Sequence, residues 1–131
     1  MSLLAIALLA ASPATSGPEW RCVNEVEIWC DAEHCAATPP SEFTPLGISA
    51  DPRGGFSVCA YTGCWESQAR PKRIAGRSLW MGDNLSFSTA QGGEMAADVT
   101  LLIVDRDGVG FVRAGGLAVP LKCTLEPRAV E

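Results

Sequence analysis

The chain has 131 residues, a formal net charge of −5 and 47% hydrophobic residues. This length fits one domain with a modest core. The excess of acidic residues argues against a nucleic-acid ligand and favours basic partners. Six cysteines in so short a chain favour an exported protein that is held together by disulfides.

The first element is an apolar run, Leu3–Ala11. It is too short to span a bilayer but has the length of a signal-peptide core. The small residues at Ala14-Thr15-Ser16 predict cleavage there, so we expect residues 1–16 to be a signal peptide and residues 17–131 to be a single β-rich domain. This predicts a periplasmic or secreted protein, with no stable membrane insertion once the leader is removed.

Alternation of apolar and polar residues predicts strands in the rest of the chain, beginning with a strand over residues 21–30. Its apolar face would comprise Val26, Ile28 and Cys30. Its solvent-facing side would comprise Glu25, Glu27 and Trp29.

Turn signals then predict three hairpins in the first half of the chain. Residues 31–34 turn the chain back at Cys35, and Asp51-Pro52-Arg53-Gly54 has the preferences of a type I turn between strands 46–50 and 56–60. The third is a tip over residues 60–63.

Five more strands are predicted at residues 73–81, 85–89, 99–105, 109–113 and 117–123. The first two would pair around Gly82-Asp83-Asn84, and the very apolar third would be buried on both faces. Asp107-Gly108 and Gly115-Gly116 predict hairpins, while Pro120 predicts an edge strand or an end to its pairing. About eight short strands predict an all-β fold, a small antiparallel barrel or sandwich.

The cysteine spacing predicts the disulfides. A four-residue connection places Cys30 opposite Cys35 and Cys59 opposite Cys64 in antiparallel hairpins, within bonding reach. Two hairpin clamps would leave Cys22 and Cys123 to join the ends of the domain. The alternative is a zinc site, with ligands from Cys30, His34, Cys35, Cys59 and Cys64, although structural zinc sites favour Cys-x2-Cys spacing.

Nothing in the sequence forms a recognisable catalytic motif. His34 is the only histidine, and it lies in a short turn away from any nucleophile-elbow pattern. We therefore expect no catalytic residues, no metal and no cofactor. A small hydrolase with paired carboxylates stays open as an alternative.

Aromatic residues beside the predicted clamps are the candidate binding residues: Tyr61 with Thr62 inside the 59–64 loop, Trp65 after it, and Trp29 before Cys30. Rigid aromatic side chains on a preorganised loop lose little entropy on association. The alternative is that these rings cap the core of the barrel.

The stretch Ser57–Glu66, together with Gly115–Cys123, resembles small exported bacterial proteins of unknown function. The resemblance covers most of the mature chain and implies no activity. The general layout is also similar to periplasmic lysozyme inhibitors, which are small disulfide-bearing β-barrels.

These observations predict a non-enzymatic binding protein. It would inhibit a basic hydrolase such as lysozyme, which its acidic character suits, or it would bind carbohydrate or cell-wall glycan through Trp29 and Trp65.

Overall fold

The computed structural model of the chain describes residues 17–89 and 96–128. The predicted leader, residues 1–16, lies outside the described residues. Within the described residues, one antiparallel sheet of 12 strands curls into a half-barrel. The first six strands are β1 (Glu19–Val23), β2 (Ile28–Cys30), β3 (Cys35–Ala37), β4 (Gly47–Ala50), β5 (Phe56–Ala60) and β6 (Gly63–Ser67). The other six are β7 (Lys72–Ile74), β8 (Arg77–Leu85), β9 (Ser88–Thr89), β10 (Ala97–Val104), β11 (Val109–Ala114) and β12 (Leu117–Glu126).

The sheet consists of two halves that meet at one pair of strands. Its order is β7-β8-β10-β11-β12-β1-β4-β5-β6-β9, with β2 and β3 branching from β12. Within each half most neighbours are joined by short turns. The pairing of β1 with β12 joins the halves, and we call it the seam.

A buried disulfide crosses the seam. Cys22 lies directly opposite Cys123, and their bond links residues 101 positions apart in the chain. A Cβ atom at Gly110 would lie 3.3 Å from Cys123 Sγ and 2.7 Å from the carbonyl oxygen of Leu102. Because glycine has no Cβ atom, position 110 leaves room for the disulfide and for the neighbouring strand β10.

The other two disulfides also match the predicted pairs. Cys30 is bonded to Cys35, and Cys59 to Cys64, each at opposite positions of a hairpin. All six cysteines are therefore in disulfides, and no thiolate remains for the alternative zinc site.

The core lies on the concave side of the sheet and draws on both halves. Its most deeply buried side chains are Cys22, Val58, Ser78, Trp80, Val99, Leu101, Ile103, Val112 and Val119. The Trp80 indole donates to the carbonyl oxygens of Asp51 (3.1 Å) and Gly54 (3.2 Å). This ring of β8 thereby reaches the β4–β5 turn of the opposite half and holds the curl closed.

The all-β fold class is confirmed, but the prediction of one strand over residues 21–30 is wrong. The strand ends at Val23 and resumes at Ile28. Asn24 interrupts it, because its side chain bonds to neighbouring backbone and offers an alternative to the ladder. At the break two residues are opposite to the prediction, since Val26 is exposed and Glu27 is buried, whereas Glu25 and Trp29 are exposed as predicted.

The predicted pairing of residues 73–81 with 85–89 is also wrong. Ala75 and Gly76 have φ values of 50° and 77° and form a two-residue turn, so that β7 pairs back onto β8. Both positive φ values fit the tight turns that connect twisted hairpins. Alanine rarely adopts this conformation, which is why the residue types gave no turn signal.

The later strands mostly follow prediction. The hairpins at Asp107-Gly108 and Gly115-Gly116 are confirmed. Burial of β10 on both faces is wrong, because Leu102 and Val104 are only half-buried on the outer face. Strand β12 is a central strand and not an edge strand. Its ladder with β11 is continuous, but on its other side it pairs with β2 at Leu117 and with β1 only from Lys122 onward. Residues 118–121, which include Pro120, therefore have no partner on that side. Within residues 17–89 and 96–128 no helix is long and apolar enough to cross a membrane.

We predict that the seam disulfide stabilises the fold more than either hairpin disulfide does. In the chain-entropy picture, closing a loop of 101 residues contributes about 4–5 kcal/mol, against about 2 kcal/mol for each short loop. Replacing Cys22 and Cys123 by Ala should therefore lower the melting temperature about 10 °C more than replacing Cys30 and Cys35. Calorimetry of the two double variants measures this, and the reverse ranking would contradict it.

Candidate functional site

Both disulfide-closed hairpins lie at the same end of the sheet. Strand β1 is antiparallel to both β4 and β12, so Gly47 and Leu117 begin their strands at the same end. Cys59 lies opposite Gly47, and Trp29 lies opposite Leu117. We call this end, with the 30–35 and 59–64 hairpins, the clamped end.

The 59–64 hairpin presents an exposed aromatic residue on a fixed base. Tyr61 is 79% exposed, and Thr62 beside it is also exposed. Below them the Cys59–Cys64 bond joins the strands, and Cys64 pairs with Ser88 of β9 on its other side. Because the strands are fixed on both sides, little freedom remains for the tip to lose on binding.

The structure places Trp65 in the core. It is buried, and its ring centroid lies 4.5 Å from that of Phe87 in a tilted arrangement. This burial supports the alternative interpretation, in which the Trp65 ring caps the core. Its contribution to the clamped end is to support the Tyr61 hairpin from below.

Trp29 belongs to the second hairpin and is 51% exposed. Its ring lies beside Gly116, where a Cβ atom would be 3.5 Å from the ring. The hairpin tip is ordered by Asp31, whose Oδ1 accepts hydrogen bonds from the backbone N–H groups of Glu33 (2.8 Å) and His34 (2.9 Å). Both bonds lower the pKa of Asp31, and the bond from the His34 N–H has the larger effect.

The exposed carboxylates of Asp31 and Glu33 give this hairpin a negative tip beside an aromatic face. His34, whose Nδ1 lies 3.4 Å from Asp31 Oδ1, is exposed on the same turn. Such a combination suits a cationic partner, which the aromatic ring anchors and the carboxylates attract.

Glu27 is where the structure departs most from the predicted surface. It was expected to face solvent, yet it is only 6% exposed. Its carboxylate accepts hydrogen bonds from Thr38 Oγ1 (2.7 Å) and the Thr44 backbone N–H (3.1 Å). Burial raises the pKa of Glu27, but these hydrogen bonds outweigh burial and leave the pKa below its usual value.

Asn24 completes this arrangement. Its buried amide donates to the carbonyl oxygens of Val26 (3.0 Å) and Thr44 (3.2 Å) and accepts from the Leu46 N–H (2.7 Å). Asn24 and Glu27 thus fix the loop over residues 38–46 to the segment that carries Trp29. Sequence reasoning missed both positioning residues, and the only available signal was an asparagine that interrupts a strand pattern.

The opposite end of the sheet uses its carboxylates internally. Arg128 donates to Asp51 (2.9 Å) and lies 3.6 Å from Glu19, and Arg73 pairs with Asp105. Burial raises the pKa of Asp51, but bonds from the Arg53 backbone and Arg128 prevail and lower it. Paired charges of this kind stabilise loops and leave little for a ligand to engage.

A polar groove of about 390 Å³ bears on the hydrolase alternative, because Glu19, Asp51 and Glu66 line it. A glycosidase needs one carboxyl group that stays protonated. Here Arg128 contacts Glu19 and Asp51, and the pKa of Asp51 is lowered, so Asp51 does not suit the role of that acid. Among residues 17–89 and 96–128, no three His, Cys, Asp or Glu side chains are placed to hold a metal ion.

Comparison of the chain with protein-family models, with curated proteins and with solved structures finds no match. The clamped end is therefore interpreted from its own chemistry. That chemistry consists of Trp29 and Tyr61 as exposed rings on two fixed hairpins, with Asp31 and Glu33 as accessible charges.

We predict that Glu27→Gln loosens the clamped end in a pH-dependent way. The pKa of Glu27 is lower in the folded state than in the unfolded state. The stability that Glu27 contributes is therefore fully present above the unfolded-state pKa, and it is lost as the pH falls through the folded-state pKa. At neutral pH the variant should be less stable by about 1–2 kcal/mol. Below about pH 4.5 the difference should shrink.

Denaturant unfolding over a pH series measures this difference. Exposed Glu25 provides the matched control, since Glu25→Gln removes the same charge two positions away. Equal stability of the two variants at neutral pH would contradict the role of Glu27.

Proposed function

We propose that the chain is an exported, non-enzymatic protein that binds a basic protein through the clamped end. The specific version is inhibition of a cationic hydrolase such as lysozyme in the periplasm or outside the cell. Three disulfides are consistent with such an oxidising compartment.

The observation that carries the proposal is the pair of exposed aromatic residues on fixed hairpins. Trp29 and Tyr61 project at one end of the sheet, 51% and 79% exposed, and each belongs to a segment closed by a disulfide. Aromatic anchors that are already ordered give large contact area at low entropic cost. The exposed carboxylates of Asp31 and Glu33 would speed encounter with a cationic surface.

The same rings also favour the second candidate, a cell-wall glycan ligand. Aromatic faces pack against the apolar faces of sugar rings, and Asp31 and Glu33 supply hydrogen-bond acceptors. The two candidates differ in salt dependence, because only the charge-steered protein complex weakens strongly at high ionic strength.

We predict that Tyr61→Ala and Trp29→Ala each weaken binding to a cationic lysozyme by about 2 kcal/mol, or roughly thirtyfold, while the fold is retained. Phe111→Ala is the matched control, because Phe111 is an exposed aromatic residue outside the clamped end. Titration calorimetry and inhibition of cell-wall hydrolysis measure both effects.

Wild-type affinity in both clamped-end variants would refute the assignment of this surface. Absence of binding to the enzyme, together with saturable tryptophan fluorescence changes on adding cell-wall fragments, would favour the glycan ligand instead. Turnover of those fragments would favour the hydrolase.

A further inference from the structure

A second surface, distinct from the clamped end, lies on the outer side of the half-barrel. Four apolar residues occupy one register row across four strands: Leu79 lies opposite Leu102, Leu102 opposite Phe111, and Phe111 opposite Pro120. Their neighbours on the same side are Ile74, Met81, Val104 and Val109. We call these eight residues the apolar face.

The apolar face is accessible despite its composition. Ile74 is 60% exposed, Val109 is 42% exposed, and Met81 and Phe111 are each 40% exposed. Water-exposed apolar side chains are common singly, but a contiguous patch across a sheet marks an interaction surface.

The outer side of the other half of the sheet provides an internal comparison. The corresponding row there runs through Thr124, Arg21, Ser49, Ser57 and Glu66, each opposite the next. Every member is polar, as expected for a sheet face that meets only solvent. A row of four apolar residues is therefore seen on β8, β10, β11 and β12, whereas Val23 of β1 is a single exposed apolar residue on the outer side.

Four exposed cations accompany the apolar face. Lys72 lies opposite Leu79, Arg77 opposite Val104, Arg113 opposite Thr100, and Lys122 opposite Val109. The strand segments that form the face, residues 72–74, 77–81, 100–104, 109–113 and 118–122, contain no Asp or Glu. On a chain of net charge −5 the charged residues of this face are all basic, while Asp83, Asp98, Asp105 and Asp107 lie next to its segments and Asp105 is paired with Arg73.

An apolar groove of about 250 Å³ continues the face next to Pro120. Val26, Val109 and Leu121 line it, with Glu25 and Lys122 at its sides. It lies where β12 has no partner between β2 and β1. The apolar surface therefore extends from the row into a recess.

We propose that the apolar face docks on a membrane surface that contains anionic lipid, peripherally and without a spanning segment. Apolar side chains would enter the boundary between headgroups and acyl chains, while Lys72, Arg77, Arg113 and Lys122 meet the lipid charges. The Debye length is about 8 Å in physiological salt, so acidic residues beyond that distance do little to cancel the attraction between these four cations and the lipid.

The chemistry of the face favours a lipid surface over the other occupants. A second copy would bring cations against cations. A protein partner needs about one hydrogen bond per 100–200 Å² of interface, but on this face the four cations would have to supply most of them, because the apolar row has no hydrogen-bonding side chain and its backbone belongs to the ladders. A lipid interface requires only apolar contact and negative charge.

The test is flotation of the mature, oxidised protein with vesicles of phosphatidylcholine alone or with one quarter phosphatidylglycerol. We expect binding to the anionic vesicles only, with release at high salt. Phe111→Ser should lower the partition coefficient about fivefold. Lys72→Gln/Arg113→Gln should lower it about thirtyfold.

The matched control is Arg70→Gln/Arg106→Gln, which removes the same charge from exposed positions outside the apolar face. It should bind as the wild type does, and thermal melting of every variant confirms folding. Failure of the wild type to bind anionic vesicles, or equal loss in the control, would overturn the proposal. Capture of an acidic protein through Phe111 without vesicle binding would overturn it as well.

Discussion

The structure depends on one contact, the seam between β1 and β12. The seam joins residues about a hundred positions apart, and among the described strands it is the only ladder between the two halves, with the Cys22–Cys123 bond within it. Long-range pairing costs the most chain entropy, so a covalent link at this position stabilises the contact that folding finds hardest to form. The curl then follows from packing, since Trp80 can reach the β4–β5 turn only when the halves are joined.

The same constraint places the candidate site. With β4 and β12 held in the same direction on either side of β1, the two short disulfide hairpins are brought to one end of the sheet, and each has an exposed aromatic residue. At the opposite end Arg73 and Arg128 neutralise the carboxylates of turns and termini. The molecule thus has one end whose polar groups are paired internally and one end whose rings and carboxylates are available to a partner.

A structural feature of this protein is predictable from the sequence when the residues that determine it lie close together in the chain. The disulfide pairs and the Gly115-Gly116 hairpin were predictable, because a four-residue loop or a glycine pair determines geometry within a few positions. Burial of Glu27 was not, because its carboxylate is held by Thr44 from 17 residues away. The Ala75-Gly76 turn was hidden by an alanine in a conformation it seldom adopts. The sequence predicts Trp65 as a binding residue, but in the structure its ring is buried against Phe87, which lies next to β9.

The seam disulfide is the claim on which the account rests, and its direct test is disulfide mapping by mass spectrometry of unreduced protein from its native compartment. Cleavage after Glu33 and after Tyr61 opens both short hairpins, and cleavage after Glu25, Glu42 and Glu66 separates the remaining cysteines, so that each disulfide is found as a linked pair of peptides. The account predicts three linked pairs, with the peptide that contains Cys22 joined to the one that contains Cys123. Either of these two cysteines found as a free thiol, or joined to a hairpin cysteine, would contradict it.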